Sequence, residues 1–199
     1  MKLAETFLAI LDRVSADLDV VHLKAEVDAL SAKHPGLPAR EVGRLMITST
    51  ARKAAALGAV ASLPPGWAAL AAAGPELSTL LVLQSRLILG LHLLYGGVPE
   101  PQERALEVLA GLASGAGINV GRRLSTKLAA EVVEKLVLRI VGRQATHMVP
   151  ILGAVAGAAL NYAAVRGIGE AALHRVEKLY GPPDVPGKGP AVDVEGRVS

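Results

Sequence analysis

Ser85 and His92 stand two helical turns apart in the most leucine-rich stretch of the sequence, with Glu76 one or two turns further back. Ser, His and an acid are the residue types of nucleophilic catalysis, in which the imidazole takes the hydroxyl proton across a hydrogen bond of about 3 Å. On one helix, a seven-residue separation puts the two side chains about 10.5 Å apart along the axis, at roughly 1.5 Å per residue. The spacing excludes a triad built by this helix alone. Gln84, Ser85, Arg86 and His92 are read instead as a polar cluster that satisfies polar groups inside a helical bundle or lines a cleft.

Other chemistry-bearing patterns are weaker. Gly115, Gly117 and Gly121 approach a dinucleotide fingerprint, but the third glycine is one residue late and the run follows a helix, where a dinucleotide loop follows a strand. A helix break or a close-packing site is the expectation there. There is no phosphate-binding Gly-x-x-x-x-Gly-Lys-Ser/Thr and no His-Glu-x-x-His, and the five histidines (His22, His34, His92, His147, His174) lack ligand spacing. With no cysteine, thiol catalysis, Cys-ligated zinc, iron–sulfur clusters and disulfides are excluded. No catalytic, cofactor-binding or metal-binding residue is therefore assigned.

Two patterns point to surfaces. Arg122, Arg123, Lys127, Arg139 and Arg143 form the one recurring positive cluster; it reads as a solvated face or as a contact for anionic lipid headgroups. A net charge of +3 and five aromatic residues supply neither a strong phosphate stripe nor a stacking platform, so no nucleic acid is expected as partner. Gly153 and Gly157, extended by Ala154, Ala158 and Asn161, give a smooth face for close helix packing. Asn161, if buried there, needs a partner such as a backbone carbonyl or a polar group on the Leu-rich helix.

The elements that must position these residues are helices. Leu3, Phe7, Ile10, Leu11, Val14, Leu18 and Val21 keep helical spacing, and Leu23, Val27 and Leu30 continue it, so residues 1–34 form an amphipathic helical segment of one broken or two consecutive helices. Pro38 opens a helix that stops at Leu63-Pro64-Pro65-Gly66; Pro75 opens the next, apolar on nearly every side and ended by Tyr95-Gly96-Gly97. Leu106, Leu109 and Leu112 mark another. From Ser125 to Val141, Leu128, Val132, Val133, Leu136, Val137 and Ile140 share one face, opposite Lys127, Glu131, Lys135 and Arg139. A long helix runs from Thr146 and Pro150 to Tyr180-Gly181. Residues 182–199, rich in Pro and Gly without periodicity, are expected to be a disordered tail.

The resulting expectation is an all-α, single-domain bundle of about six to eight helices with a central apolar hairpin, residues 35–181 forming its core. The amphipathic N-terminus has no cleavage-site pattern and does not read as a secretion signal. Residues 148–165 just reach the roughly 18 apolar residues of a spanning segment, but they hold Pro150 and Asn161 and stop at Arg166. Arg86 in the Leu-rich helix costs about 2.5–3.5 kcal/mol on the insertion scale. A buried hairpin is expected ahead of a membrane span. Mean hydropathy is nevertheless +0.41, so some apolar face must be covered by lipid, an apolar ligand or a second copy.

The order of features resembles the EcsC protein family. Leu45 through Thr48, Lys53, Ala54, Ala55, Gly58, Leu63-Pro64-Pro65-Gly66, Pro75-Glu76-Leu77 and the Leu-rich helix to Tyr95-Gly96 carry the likeness, as do Val149-Pro150-Ile151-Leu152-Gly153-Ala154, Gly157, Asn161-Tyr162 and Gly169-Glu170-Ala171-Ala172. The turn at Ala61–Gly66 and the Pro75-Glu76 pair depart from the family's usual forms. The resemblance implies an all-α bacterial protein, cytoplasmic or membrane-associated, and hands over no catalytic residue; the leading expectation is a non-enzymatic protein, cytoplasmic or peripheral on the inner face of the cell membrane, as an accessory to ABC transport or envelope processes. A soluble carrier or scaffold that binds a lipid-like ligand or forms a homo-oligomer is the alternative, and a lipid hydrolase the third reading.

Overall fold

The computed structural model describes residues 2–60, 74–121, 124, 128–136 and 153–181. Among these residues there are seven helices and no strand, as the alanine and leucine content predicts. They are α1 (Lys2–Ala16), α2 (Val20–Lys33), α3 (Ala39–Val60), α4 (Gly74–Leu94), α5 (Arg104–Gly115), α6 (128–136) and α7 (Gly153–Tyr180). The turn at residues 63–66, the basic residues Arg122, Arg123, Lys127, Arg139 and Arg143, and the tail 182–199 lie outside the described residues.

Local chemistry sets the helix ends. Asp19 caps α2, its side chain accepting the His22 N–H at 2.9 Å. Pro38 precedes the first helical residue of α3, and its carbonyl accepts the N–H groups of Glu41 and Val42. At the end of α4 the Gly97 N–H reaches the His92 carbonyl at 2.8 Å and the Gly96 N–H reaches that of Leu93 at 3.1 Å. This paired closure needs a left-handed residue between, and Gly96, at φ +77°, supplies it. α5 ends the same way, with Ile118 and Gly117 bonding back to Ala113 and Ser114.

α4 is the central helix, in contact with α1, α2, α3, α5 and α7. Its buried Leu81, Leu87, Ile88, Leu89, Leu91 and Leu93 face every side, which is what the near-absence of polar positions foretells. Residues 2–33 join this same core through Leu11, Leu18 and Leu23. The most extensive pairing, however, is between α3 and α7. These run antiparallel, with Asn161 beside Ala54, Gly169 against Ile47, Leu173 against Gly43 and Glu177 beside Arg40. α4 runs alongside α7 in the same direction, Leu87 at Gly169 and Leu91 near Leu173, so the antiparallel partner of α7 is α3.

Glycines allow these close approaches. A Cβ on Gly169 would lie 2.7 Å from Ile47, and one on Gly115 would lie 2.6 Å from the Ile168 backbone. The Gly-rich run after residue 110 thus does both things expected of it: Gly111 and Gly115 are packing sites and Gly117, at φ +74°, ends the helix. In α6, Ala129, Val132, Val133 and Leu136 are buried and Lys135 pairs with Glu131 at 2.6 Å. Leu128, placed on the apolar face by periodicity, is instead exposed: at about 100° per residue the buried side chains of 129, 132, 133 and 136 centre on one side of the helix and Leu128 falls at its edge.

Candidate functional site

The densest grouping of chemistry-bearing side chains lies where α4 ends, α5 begins and α7 ends. The glycine closure of α4 leaves His92 in the last turns of that helix, 1% exposed. Glu107 comes from the first turn of α5, and Arg175 and Tyr180 from the last turns of α7. His92 Nδ1 is 3.0 Å from the Tyr180 hydroxyl, and Nε2 is 3.6 Å from Glu107 Oε2. Arg175, 8% exposed, places Nη2 3.4 Å from the same carboxylate oxygen and donates from Nη1 to the Gly121 carbonyl at 2.8 Å. Tyr180 stacks edge-on against the imidazole, and its ring occupies the space a side chain on Gly97 would need.

Electrostatics assigns the protons. Burial, assisted by the Arg175 charge, lowers the His92 pKa to about 4, so the ring is neutral near pH 7. With Nε2 turned to a carboxylate, the ring proton belongs there and Nδ1 accepts from the Tyr180 hydroxyl. A histidine beside a carboxylate and a hydroxyl has the outline of an activated nucleophile, but the magnitudes decide against activation. An imidazole whose pKa is lowered to about 4 is too weak a base to draw the proton from a phenol. The arrangement therefore holds Tyr180 in place and fastens the end of α7 to α4 and α5. Beside it, the Tyr95 hydroxyl donates to Glu177 Oε1 at 3.1 Å and Arg40 Nε lies 3.5 Å from that oxygen, linking α3, α4 and α7. Burial and the Glu177 charge push the Tyr95 phenol up, keeping it protonated as the donor.

Gln84, Ser85, Arg86 and His92 do not share one site. Arg86 pairs with Glu26 of α2 at 2.6 Å on a half-buried surface, while Gln84 is half-buried. Ser85 is fully buried, and its Oγ has no hydrogen-bond partner among the described residues. The partners of His92 come from other helices. Sequence reasoning missed Glu107, Arg175, Tyr180, Tyr95 and Glu177; the available signal was that Arg175 falls at the helical spacing of the apolar positions Ala172, Leu173 and Val176. Asn161 does find a backbone carbonyl, donating to Ala54 of α3 at 3.4 Å. Gly153 opens α7 and Gly157 lies one turn on, within the helix predicted for them.

The His92 environment makes a pH prediction. Above about pH 6.5 the ring is neutral in both folded and unfolded chains and contributes no pH dependence. As pH falls from 6.5 towards 4 the unfolded chain takes up a proton that the native ring refuses, so stability is lost, by about 3 kcal/mol in all. Urea unfolding at pH 7.5 and 4.5 should show a drop in the wild type that is about 3 kcal/mol smaller in His92→Gln. Equal drops in the two proteins would mean that the ring is not held neutral.

A second surface lies at the opposite end of the α3/α7 pair. Ala159, Leu160, Ala163, Ala164 and Gly167 recur at helical spacing on the outer side of α7 and are exposed, Leu160 at 59%, with Leu57 exposed on α3. Their register follows from the Asn161–Ala54 and Gly169–Ile47 contacts. Over residues 158–180 α7 is thus buried on one side only, unlike α4. Among the described residues no helix is long and apolar enough to cross a membrane, and no group of three or more His, Asp or Glu side chains has the geometry to hold a metal ion. Compared with protein-family models, with curated proteins and with solved structures, the chain matches none.

Proposed function

We propose that this chain is a non-enzymatic, EcsC-like bacterial helical protein that attaches peripherally to a membrane, in a role accessory to ABC transport or envelope processes. The observation that supports this reading is the outer side of α7, where Leu160 and its neighbouring alanines meet solvent on a chain of high mean hydropathy. Interfacial binding scales with the apolar area that enters the headgroup boundary, and a helix side of this kind can lie in the interface plane without spanning it. The buried His92 grouping fits the same reading, since it closes on itself and fastens helices together.

Flotation of the purified chain with phospholipid vesicles tests this. The wild type is expected to move with the vesicles, and Leu160→Asp to partition about ten-fold less, because one exposed leucine gives up roughly 1.5 kcal/mol of apolar transfer. A wild type that stays in the soluble fraction with every vesicle composition overturns the membrane reading in favour of a carrier or scaffold.

A further inference from the structure

We infer that the end of the α3/α7 pair formed by the last turns of α3 and the first half of α7 is the docking surface for anionic phospholipid, with Arg52, Lys53 and Arg166 as the headgroup-binding cations. The inference rests on the peripheral-membrane reading and adds to it which face meets the bilayer and which lipid it selects.

Three observations converge on this end. Arg52 and Lys53 are exposed on α3, Arg166 is exposed on α7, and none of them pairs with an acid among the described residues. The antiparallel register, 161 beside 54 and 169 beside 47, brings positions 52–57 alongside 159–166, so the three cations flank the exposed Leu57 and Leu160. Positions 42–75 and 135–169 contain no Asp or Glu at all. At the other end of the same helix pair acids stand beside the cations: Arg40 pairs with Glu177, and Arg44 with Glu41 and Glu170, while Lys178 alone is exposed without an acid partner among the described residues.

The helix pair is therefore polarised. One end carries acids beside its cations, and the other combines large apolar side chains with positive charge that pairs with no acid among the described residues. An anionic bilayer offers the complement to both at once, headgroup phosphates for the cations and acyl chains for the leucines. A neutral apolar partner would leave three cations at the rim without counterpart, and a free phosphate would leave the leucines in water.

The test is flotation of the full chain with phosphatidylcholine vesicles, with and without phosphatidylglycerol, at low and high salt. Three proteins are compared: the wild type, Arg52→Glu with Lys53→Glu and Arg166→Glu, and a control with Arg13→Glu, Lys24→Glu and Lys33→Glu on α1 and α2. The control carries the same change in net charge at another place, and all six residues are exposed. Circular dichroism melting verifies that each variant is folded.

Wild type and control should prefer the anionic vesicles and lose that preference at high salt. The α3/α7 variant should partition roughly a hundred-fold less to them, since each basic side chain near an anionic surface contributes about a factor of five to six. If that variant floats like the wild type, or the control falls as far, the inference is overturned while the peripheral-membrane reading stands. If the wild type binds neither vesicle, both fall.

Discussion

Leu87→Asp is expected to abolish the folded protein. Leu87 is 2% exposed, in the helix that touches five others, and its methyl carbon lies where α4 meets Gly169 of α7. Aspartate there loses the apolar transfer energy of a leucine and adds an unpaired carboxylate in a site with no described donor to receive it. The second term alone amounts to several kcal/mol, and native domains have about 5–15 kcal/mol in total. Loss of soluble yield and of cooperative melting is the expected result. Leu87→Met, which keeps volume and polarity, should cost less than about 1.5 kcal/mol and guards against reading any change at this position as fatal. Normal yield and melting of Leu87→Asp would show that α4 is not the centre of the core.

Glu107→Ala is expected to cost about 3 kcal/mol in urea unfolding at neutral pH. It takes the carboxylate away from Arg175, whose side chain is 8% exposed, and from the Nε2 side of His92. Breaking a buried ion pair from one side typically costs about 3–5 kcal/mol, because the remaining charge is left without its counterion. The lower figure applies because the Val120 and Gly121 carbonyls still accept from the Arg175 guanidinium. Replacing the pair together, Glu107→Ala with Arg175→Met, should recover much of the loss, as buried ion pairs often exchange for apolar side chains at little net cost. A double variant less stable than Glu107→Ala would mean that Arg175 contributes chiefly through its carbonyl bonds, and a single variant within about 1 kcal/mol of the wild type would mean that the pair is effectively solvated.

The division between what the sequence determines and what the tertiary structure decides follows the range of the forces involved. Helix class, most helix ends and the central helix are written locally. Alanine and leucine favour helix through their own torsions, Asp19 caps α2 through the N–H three residues on, and Gly96 closes α4 because only glycine takes a left-handed φ without strain. The centrality of α4 is local as well, since a helix without a polar side has no side to leave in water. The Glu131–Lys135 pair likewise follows from four-residue spacing.

His92 shows where that range ends. Its position near the end of an apolar helix is plain from the sequence, but its partners are Glu107, fifteen residues on, and Tyr180, eighty-eight residues on. Arg86 finds Glu26 across sixty residues, in place of its neighbours Ser85 and Gln84. The two sides of α7 make the same point. Both are rich in small apolar residues, so periodicity does not say which one packs on α3 and which one meets solvent. That choice is made where Gly169 admits Ile47 and Gly43 admits Leu173, leaving Leu160 outside. Torsional preference and capping act within about one helical turn, whereas pairing between helices depends on side-chain shape at distant positions, and the register of α7 against α3 and α4 exists only once all three have packed.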